Sequence, residues 1–227
     1  MGINFPARRC AMPCQTAIFD LDGTLLDTLE DLYRAVNIAL DTHSFPLRTR
    51  MDVRSFVGDG VEMLIRRALP AESDEETVSL VLSTFKTTYA SICRDNTKPY
   101  DGILNMLAAL RSAGVRVAVV SNKFDAATKA LCAEYFGELV EVAIGERADV
   151  RKKPAPDTVY EALRELGITA EGAVYIGDSD VDIRTAENCG MDCISVTWGL
   201  RDEDFLVENG AKVLVHAPSD LLGVIIA

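Results

Sequence analysis

The chain has 227 residues, of which 48% are apolar and 26% are charged, so it can bury a substantial hydrophobic core. Its formal net charge of −12 argues against DNA or RNA as a partner, because nucleic-acid binding requires clustered Lys and Arg. No window approaches the roughly 18–20 apolar residues of a membrane span. The composition therefore predicts a globular, cytoplasmic protein with neither a nucleic-acid nor a membrane partner.

Residues 1–14 and the six cysteines bear on the compartment of the protein. The N-terminal extension 1–14 contains Arg8 and Arg9 but no apolar core of a signal peptide, which leaves only a short organellar address open. Cys189 and Cys193 have a spacing that suggests a metal pair. However, the chain has only two histidines and no second cysteine pair with zinc spacing. We therefore expect reduced, mostly buried thiols.

Six short apolar runs predict β-strands. In chain order they are Ala17–Phe19, Val115–Val120, Val142–Ile144, Ala173–Ile176, Cys193–Val196 and Val213–Val215. Most of these runs are continuous rather than alternating, which is typical of parallel strands covered on both faces. Helical patterns separate them from Val115 onward. The alternation of strands and helices predicts an α/β fold with an open parallel sheet.

The connection between the first two predicted strands is far longer than a normal crossover. It contains three helical stripes, which begin near Leu29, Val61 and Val78. Ser73 and Glu76 fit a capping box at the start of the third helix. We therefore predict an all-helical cap at residues 28–96, inserted into a core formed by residues 15–27 and 97–227.

Four polar clusters lie at the ends of apolar runs. They consist of Asp20 with Asp22, Ser121 with Asn122, Lys153, and Asp178 with Asp182. Each cluster alone has an ordinary interpretation as a turn, a helix cap, a solvated lysine or a helix N-terminus. In an open parallel sheet, however, ligands bind outside the carboxyl ends of the strands, so all four clusters would converge at one edge.

The combined chemistry of these clusters indicates phosphoryl transfer. Several carboxylates, one ammonium and one hydroxyl are the groups that a carboxylate nucleophile needs when it attacks a phosphate. Carboxylate and carbonyl oxygens are the ligands that Mg²⁺ prefers. Lysine and hydroxyl donors neutralise the phosphoryl oxygens in the transition state. We therefore expect Mg²⁺ as cofactor and a small phosphorylated metabolite as partner.

Four segments, taken in order, resemble the four motifs of the haloacid dehalogenase superfamily. These segments are D-L-D-G-T from Asp20 to Thr24, Ser121 with Asn122, K-P-A-P from Lys153 to Pro156, and G-D-S-D-V-D from Gly177 to Asp182. The resemblance extends from about residue 15 to the C-terminus. It implies a Rossmann-like core with an inserted helical cap, in agreement with the pattern of strands and helices.

The resemblance also implies a role for each motif residue. Asp20 is the nucleophile that forms an aspartyl-phosphate, and Asp22 is first a general acid and then a general base. Ser121 and Lys153 hold the phosphoryl group. The metal ligands are Asp20, the backbone carbonyl of Asp22, and Asp178, and the supporting residues are Thr24, Asn122 and Asp182. Because Asp22 must be protonated in the first step, we predict surroundings that favour its neutral form as substrate binds.

The choice among family members depends on Asp22 and on the cap. Dehalogenases and phosphonate-cleaving relatives lack the second aspartate. The segment R-S-F-V-G-D-G-V-E-M-L-I-R-R-A-L, from Arg54 to Leu69, resembles the cap loop and helix of phosphoglycolate phosphatases. That likeness implies 2-phosphoglycolate as substrate, with Gly58, Asp59 and Gly60 as cap residues that contact it. Arg66 and Arg67 remain open between anion binding and ordinary solvated helix charges.

Three alternatives to a phosphoglycolate phosphatase remain. The first is a β-phosphoglucomutase-like sugar phosphate mutase, which would also keep Asp22. The second is a phosphatase of another small phosphomonoester or of pyrophosphate. The third, from a different class, is an inactive scaffold that serves as a binding module, although unused buried carboxylates would repel one another and cost stability. The chain is expected to be a monomer or a homodimer.

Overall fold

The computed structural model describes residues 14–226, so the predictions for residues 1–13, including Cys10, lie outside the described part. The strands are β1 (Thr16–Phe19), β2 (Leu26–Asp27), β3 (Lys98–Pro99), β4 (Arg116–Phe124), β5 (Val142–Glu146), β6 (Ala173–Gly177), β7 (Asp192–Val196) and β8 (Val213–Val215). The helices are α1 (Leu29–Thr42), α2 (Arg50–Phe56), α3 (Val61–Ala68), α4 (Glu75–Ile92), α5 (Ile103–Ser112), α6 (Asp125–Tyr135), α7 (Asp157–Leu166), α8 (Asp180–Cys189), α9 (Glu203–Glu208) and α10 (Pro218–Ile225).

Six of the strands form one parallel sheet in the order β5-β4-β1-β6-β7-β8. Successive side chains along a strand point to opposite faces, so Phe19 packs in the cluster with α5 and α10, whereas Ile18 packs in the cluster with α7 and α8. Helices thus cover both faces, as the continuous apolar runs predicted. The predicted α/β class with a parallel sheet is confirmed.

Helices α1 to α4 pack around a hydrophobic cluster of their own. Val36, Leu40, Ile65 and Phe85 are fully buried within it. The short antiparallel pair of β2 and β3 joins the chain where it enters and leaves this helical segment, with Leu26 opposite Pro99. The cap boundaries at residues 28 and 96 stay a prediction. They are supported by the shared hydrophobic cluster of α1 to α4, which begin at Leu29 and end at Ile92.

Two local predictions for the cap differ from the structure. The cap contains four helices and not three, because α2 is short and carries few apolar residues that would reveal a period. The capping box predicted at Ser73 and Glu76 is wrong: Asp74 is the N-cap of α4 and accepts a hydrogen bond from the backbone N–H of Thr77. A capping box occurs instead at Thr49 and Asp52, where it begins α2.

Strand β4 extends further than its apolar run predicted. It continues past Val120 through Ser121, Asn122 and Lys123 to Phe124, with a register shift against β5 after Val120. Such an irregularity re-aims side chains at a strand end. The polar cluster after Val120 therefore belongs to the strand itself and not to the loop beyond it.

The described cysteines and helices agree with an ordinary globular chain. Cys93, Cys132 and Cys189 are buried thiols, and burial raises the pKa of Cys132 to about 12. None of the helices within residues 14–226 combines the length and the hydropathy that a bilayer crossing requires.

Candidate active site

The predicted catalytic residues meet at the point where the order of the sheet reverses. The chain passes from β1 to β4 and β5 on one side and then returns to β6 on the other side of β1. Such a switch point opens a crevice outside the carboxyl ends of the strands. Asp20 follows β1 directly, Ser121 lies near the end of β4, and Asp178 follows β6.

Lys153 connects two of the carboxylates. Its ammonium nitrogen lies 2.8 Å from Oδ1 of Asp20 and 2.8 Å from Oδ1 of Asp182, and it donates to the hydroxyl of Tyr175 at 3.0 Å. The Lys153 side chain is only 2% exposed. A buried ammonium costs stability unless its N–H groups are all satisfied, and these three partners meet that condition.

Asp182 is held by the start of α8. Its Oδ2 accepts hydrogen bonds from the backbone N–H and the hydroxyl of Ser179, while Ser179 in turn accepts from the N–H of Asp182. Asp182 is therefore part of a capping box and, through Oδ1, a partner of Lys153. The helix-cap interpretation of this residue is confirmed, and its supporting role in the active site stays a prediction.

Asp178 is fixed by two groups from different loops. Thr24 donates its hydroxyl to Oδ1 at 2.9 Å, and the backbone N–H of Leu200 donates to Oδ2 at 2.6 Å. Gly23 has a φ of +88°, and a Cβ there would collide with the Asp178 carboxylate. The glycine after Asp22 is therefore needed both for the turn and for the close approach to Asp178.

Three carboxylates form a buried cluster that fits a divalent cation. Asp20, Asp178 and Asp182 each offer an oxygen, and these oxygens lie within 4.8 Å of one another. Burial, reinforced by the neighbouring Asp182, raises the pKa of Asp178 to about 7. Burial also raises the pKa of Asp20, and the attraction of Lys153 opposes this rise only in part. Carboxylate oxygens are the hard ligands that Mg²⁺ prefers. A bound cation would also relieve the repulsion between these carboxylates.

Asn122 joins the cap to the core at this site. Its side-chain N–H₂ donates to the backbone oxygens of Gly58 and Lys153, both at 3.0 Å, and its oxygen accepts from the N–H of Lys153 at 2.9 Å. Ser121 accepts a hydrogen bond from the N–H of Lys123 and lines the same cavity as Asp20. Asn122 thus positions the backbone of Lys153, while Ser121 faces the reacting region.

Sequence reasoning assigned no role to Lys123, which the structure places against Asp22. The Lys123 ammonium lies 2.9 and 3.0 Å from the two carboxylate oxygens of Asp22 and 2.8 Å from the hydroxyl of Tyr89. The expected neutral form of Asp22 concerns the substrate complex and stays a prediction. Tyr175, the partner of Lys153, was also missed, although a tyrosine inside an apolar strand needs a partner for its hydroxyl.

The predicted cap loop reaches the site only in part. Gly58 and Gly60 line the cavity, together with Val57, Val61 and Leu64. Asp59 instead pairs with Arg67, whose guanidinium also donates to the backbone oxygen of Phe56. Arg66 pairs with Glu62 and Glu75 on the surface of the cap. Asp59, Arg66 and Arg67 are thus not among the residues that line this cavity.

The cavity between cap and core is small. Its volume is about 40 Å³, and its walls include Asp20, Asp22, Lys123 and Lys153. A space of this size holds little more than a water molecule.

Two arginines connect the cap to the core. Arg201 of the core donates to the backbone oxygens of Arg54, Ser55 and Val57 at the end of α2, at 3.0, 3.3 and 2.7 Å. In return, Arg54 donates to the backbone oxygen of Gly199 and to Asp202. The loop that carries Gly199 also supplies the Leu200 N–H that binds Asp178.

The fold and the site together define a capped α/β hydrolase with a buried acidic centre. Residues 17–196 match the family described as haloacid dehalogenase-like hydrolase. The chain therefore belongs to this family, which confirms the resemblance drawn from the four sequence motifs.

Individual relatives span nearly the whole chain. A phosphoglycolate phosphatase of Caulobacter vibrioides is 34% identical over 91% of this chain and 88% of its own length. An N-acetylmuramic acid 6-phosphate phosphatase of Pseudomonas aeruginosa is 30% identical over 94% of this chain and 96% of its own. Among solved structures, a Lactobacillus delbrueckii subsp. bulgaricus protein, provisionally assigned as a phosphoglycolate phosphatase, is 37% identical with a TM-score of 0.91, covering 95% of this chain and 100% of its own.

Proposed function

We propose that this chain is a Mg²⁺-dependent phosphatase that hydrolyses small phosphomonoesters through an aspartyl-phosphate on Asp20, with 2-phosphoglycolate as its substrate. The observation that carries the proposal is the buried cluster of Asp20, Asp178 and Asp182 with Lys153, in which Asp20 and Lys153 line the cavity beneath the cap. Membership of the hydrolase family and the names of the relatives support the same reaction.

The hydrogen bonds of Asp20 support its role as nucleophile. Oδ1 accepts from the backbone N–H of Leu21 at 2.7 Å and from Lys153 at 2.8 Å. Among the described residues no donor occupies Oδ2, so this oxygen is the one available to attack phosphorus. In this proposal Lys153 and Ser121 would neutralise the oxygens of the phosphoryl group as its charge spreads in the transition state.

Asp22 supports both proton transfers. In the first step its protonated carboxyl donates to the alkoxide that leaves phosphorus. In the second step the carboxylate takes a proton from the water that hydrolyses the aspartyl-phosphate. Asp22 lines the cavity beside Asp20, which is the position that both transfers require.

The acidic cluster would hold the metal ion. Asp20 and Asp178 would contribute carboxylate oxygens, with the backbone carbonyl of Asp22 as a third ligand. Asp182 would support this set through its contact with Lys153. A bound Mg²⁺ lowers the repulsion between a phosphate and the attacking carboxylate. The raised pKa values of Asp20 and Asp178 are consistent with carboxylates whose repulsion a divalent cation would relieve.

The lining of the cavity supports a small anionic substrate. The space of about 40 Å³ beside Asp20 would have to widen to admit a phosphomonoester, and a movement of the cap would provide this. The backbone groups of Gly60 and Val61, at the N-terminal end of α3, line this space. These groups suit a compact anion such as the carboxylate of 2-phosphoglycolate.

A hydrolysis screen tests the proposal. The purified chain is assayed at neutral pH with Mg²⁺ or with EDTA against 2-phosphoglycolate, N-acetylmuramic acid 6-phosphate, β-glucose 1-phosphate, pyrophosphate and p-nitrophenyl phosphate. We expect Mg²⁺-dependent release of phosphate, with the highest kcat/KM for 2-phosphoglycolate. Acid-quenched samples should carry a phosphate on the peptide that contains Asp20, as measured by mass spectrometry.

Other outcomes would change the assignment. Conversion of β-glucose 1-phosphate to glucose 6-phosphate would identify a mutase. A higher kcat/KM for N-acetylmuramic acid 6-phosphate, the substrate named for the Pseudomonas aeruginosa relative, would replace the substrate and keep the reaction. Failure to hydrolyse any of these compounds with Mg²⁺ present would contradict the proposed phosphatase activity.

A further inference from the structure

Lys123 is a buried lysine to which the proposed mechanism assigns no role. Its side chain is 2% exposed, on the irregular end of β4 two residues beyond Ser121. Its ammonium has three partners: the two carboxylate oxygens of Asp22, at 2.9 and 3.0 Å, and the Tyr89 hydroxyl at 2.8 Å. The three N–H groups of the ammonium are therefore all used by protein groups.

The pairing fixes the carboxylate of Asp22 in one orientation. Among the described residues, no other group donates a hydrogen bond to the Asp22 side chain. A two-pronged contact to a buried ammonium restricts both rotatable bonds of an aspartate, because either rotation would leave a desolvated charge without its partner. The direction in which Asp22 faces the cavity thus depends on Lys123.

Tyr89 links this pair to the cap. It lies in the last turns of α4, is 2% exposed, and stacks on Phe85 with ring centroids 5.5 Å apart. The Lys123 nitrogen also lies 4.6 Å from the centroid of the Tyr89 ring, which adds a cation–π contact. Lys123 is consequently bound on one side by the core loop that carries Asp22 and on the other by the cap helix α4.

We propose that Lys123 is a positioning residue that orients the general acid Asp22 towards the leaving-group oxygen. Through its hydrogen bond to Tyr89, this orientation depends on the contact between cap and core. This inference rests on the proposed phosphatase function. Lys123 itself transfers no proton and does not contact the phosphoryl group. Its effect therefore falls on the two proton transfers of Asp22, and kcat/KM reports the first of them, the step in which Asp22 gives its proton to the departing alkoxide.

The test uses the dependence of that step on the leaving group. An alkoxide needs a proton as it leaves phosphorus, whereas p-nitrophenolate is stable without one at neutral pH. The value of kcat/KM is measured with Mg²⁺ for 2-phosphoglycolate, ethyl phosphate and p-nitrophenyl phosphate. The proteins are the wild type, Lys123→Met, and a control variant, Lys129→Met, which removes a half-exposed lysine on the neighbouring α6.

We expect Lys123→Met to lower kcat/KM for both alkyl phosphates by about 100-fold, the lower range of a general-acid contribution, and for p-nitrophenyl phosphate by less than about fivefold. Lys129→Met should match the wild type on all three substrates. Tyr89→Phe keeps the buried ring and removes only one hydrogen bond. It should give the same selective loss, of about fivefold, even if Lys123→Met folds poorly.

Four results would overturn the inference. An equal loss of kcat/KM on all three substrates would give Lys123 a purely structural role. Unchanged kcat/KM in both Lys123→Met and Tyr89→Phe would give it no role. A loss confined to 2-phosphoglycolate, with ethyl phosphate unaffected, would make Lys123 a ligand of the substrate carboxylate. A wild type that hydrolyses none of the three would remove the proposed function and this inference together, whereas the other three results leave the phosphatase assignment intact.

Discussion

The core and the cap meet at the same cavity but contribute different kinds of groups to it. The core supplies ionised side chains that are held by direct contacts, such as those of Lys153 with Asp20 and Asp182, both at 2.8 Å. The cap supplies mainly apolar side chains and the backbone of Gly58 and Gly60. The chemistry thus resides in the core, while the cap limits size and access. Each substitution below acts on one side of this division.

The largest effect is expected for the core nucleophile. Asp20→Asn keeps the shape of the side chain and removes the attacking charge, so kcat should fall by at least about 10⁴-fold for every substrate. The exposed Asp220→Asn serves as the matched control and should retain full activity. Circular dichroism checks that both variants fold. If Asp20→Asn kept a kcat within about tenfold of the wild type, Asp20 would not be the nucleophile, because even the loss of a general base lowers the rate more than this.

A second test concerns the attachment of the cap. The buried carboxylate of Asp31 at the start of α1 accepts hydrogen bonds from the N–H groups of Asn96 and Thr97, which follow α4. Burial opposes the charge, but these hydrogen bonds outweigh it and lower the pKa of Asp31. Asp31→Ala leaves these donors without a partner, so the free energy of unfolding should fall by about 2–3 kcal/mol.

The control for this variant is Asp41→Ala, at an exposed position on the same helix. Urea titrations of both variants measure the difference. Because the Asp31 pKa is lowered on folding, its contribution is present above the ordinary aspartate value and is lost as pH falls through the folded value. An Asp31→Ala variant as stable as Asp41→Ala at neutral pH would show that this contact does not secure the cap.

The acidic centre of the core predicts a pH effect of opposite sign. The Asp178 pKa rises on folding from 3.8 to about 7 because of burial and the nearby Asp182. Its contribution to the stability of the metal-free protein is therefore full below the unfolded value and is lost as pH rises through about 7. In EDTA, the Tm should fall by several degrees between pH 5 and pH 8, and less so in Asp178→Asn.

Metal addition extends the same measurement. Mg²⁺ binds the ionised carboxylates, so saturating Mg²⁺ should raise the Tm more at pH 8 than at pH 5. The Asp178→Asn variant should show a smaller rise at both pH values. If the wild type and Asp178→Asn had the same pH slope in EDTA and the same response to Mg²⁺, Asp178 would be neither the titrating group nor a metal ligand.

The smallest effect is expected at the contact between the two regions. Arg201→Ala removes three hydrogen bonds from the core to the backbone of the cap. The closed form should become less populated, so KM should rise by about threefold to tenfold with little change in kcat. Arg164→Ala, at an exposed position on α7, is the control. A fall in kcat without a change in KM would place Arg201 in the chemical step instead.

The sheet and the four motifs could be predicted from sequence because each depends on local pattern. A continuous apolar run followed by polar residues is a strand end, and parallel strands bring their carboxyl ends to one edge. This reasoning brought together Asp20, Lys153 and Asp178, which the structure places in one cluster around Lys153 and Thr24. The roles of these residues in the reaction remain proposals.

Lys123 could not be predicted because its environment is not local. Its partners lie 101 residues away, at Asp22, and 34 residues away, at Tyr89. A lysine after a polar pair is typical of a solvated strand end, and only the closed cap makes it a buried one. Asp59 has a partner that is equally hard to predict. Arg67 on α3 pairs with it, and the substrate contact that the loop sequence suggests stays a prediction.

The start of α4 illustrates a competition that sequence alone does not resolve. Ser73 and Asp74 are neighbours, and both residue types are good N-caps. The helix begins one residue later than the capping-box pattern suggested, with Asp74 bonded to Thr77. A difference of one residue in the helix start changes no buried contact of Val78, Val81 or Phe85, so the stripe was predicted correctly although its first residue was not.

Leu200 gives the seam between the two regions a consequence for protein engineering. This residue comes from the late part of the chain, yet its side chain belongs to the hydrophobic cluster of α1 to α4, and Phe124 packs against the same cluster. Removal of the inserted helices would therefore expose the apolar side chains of Leu200 and Phe124 to solvent beside the acidic centre. A cap transplanted from a relative would need a complementary apolar pocket for the Leu200 side chain. Without that pocket Leu200 would move, and its backbone N–H, which binds Asp178, would move too.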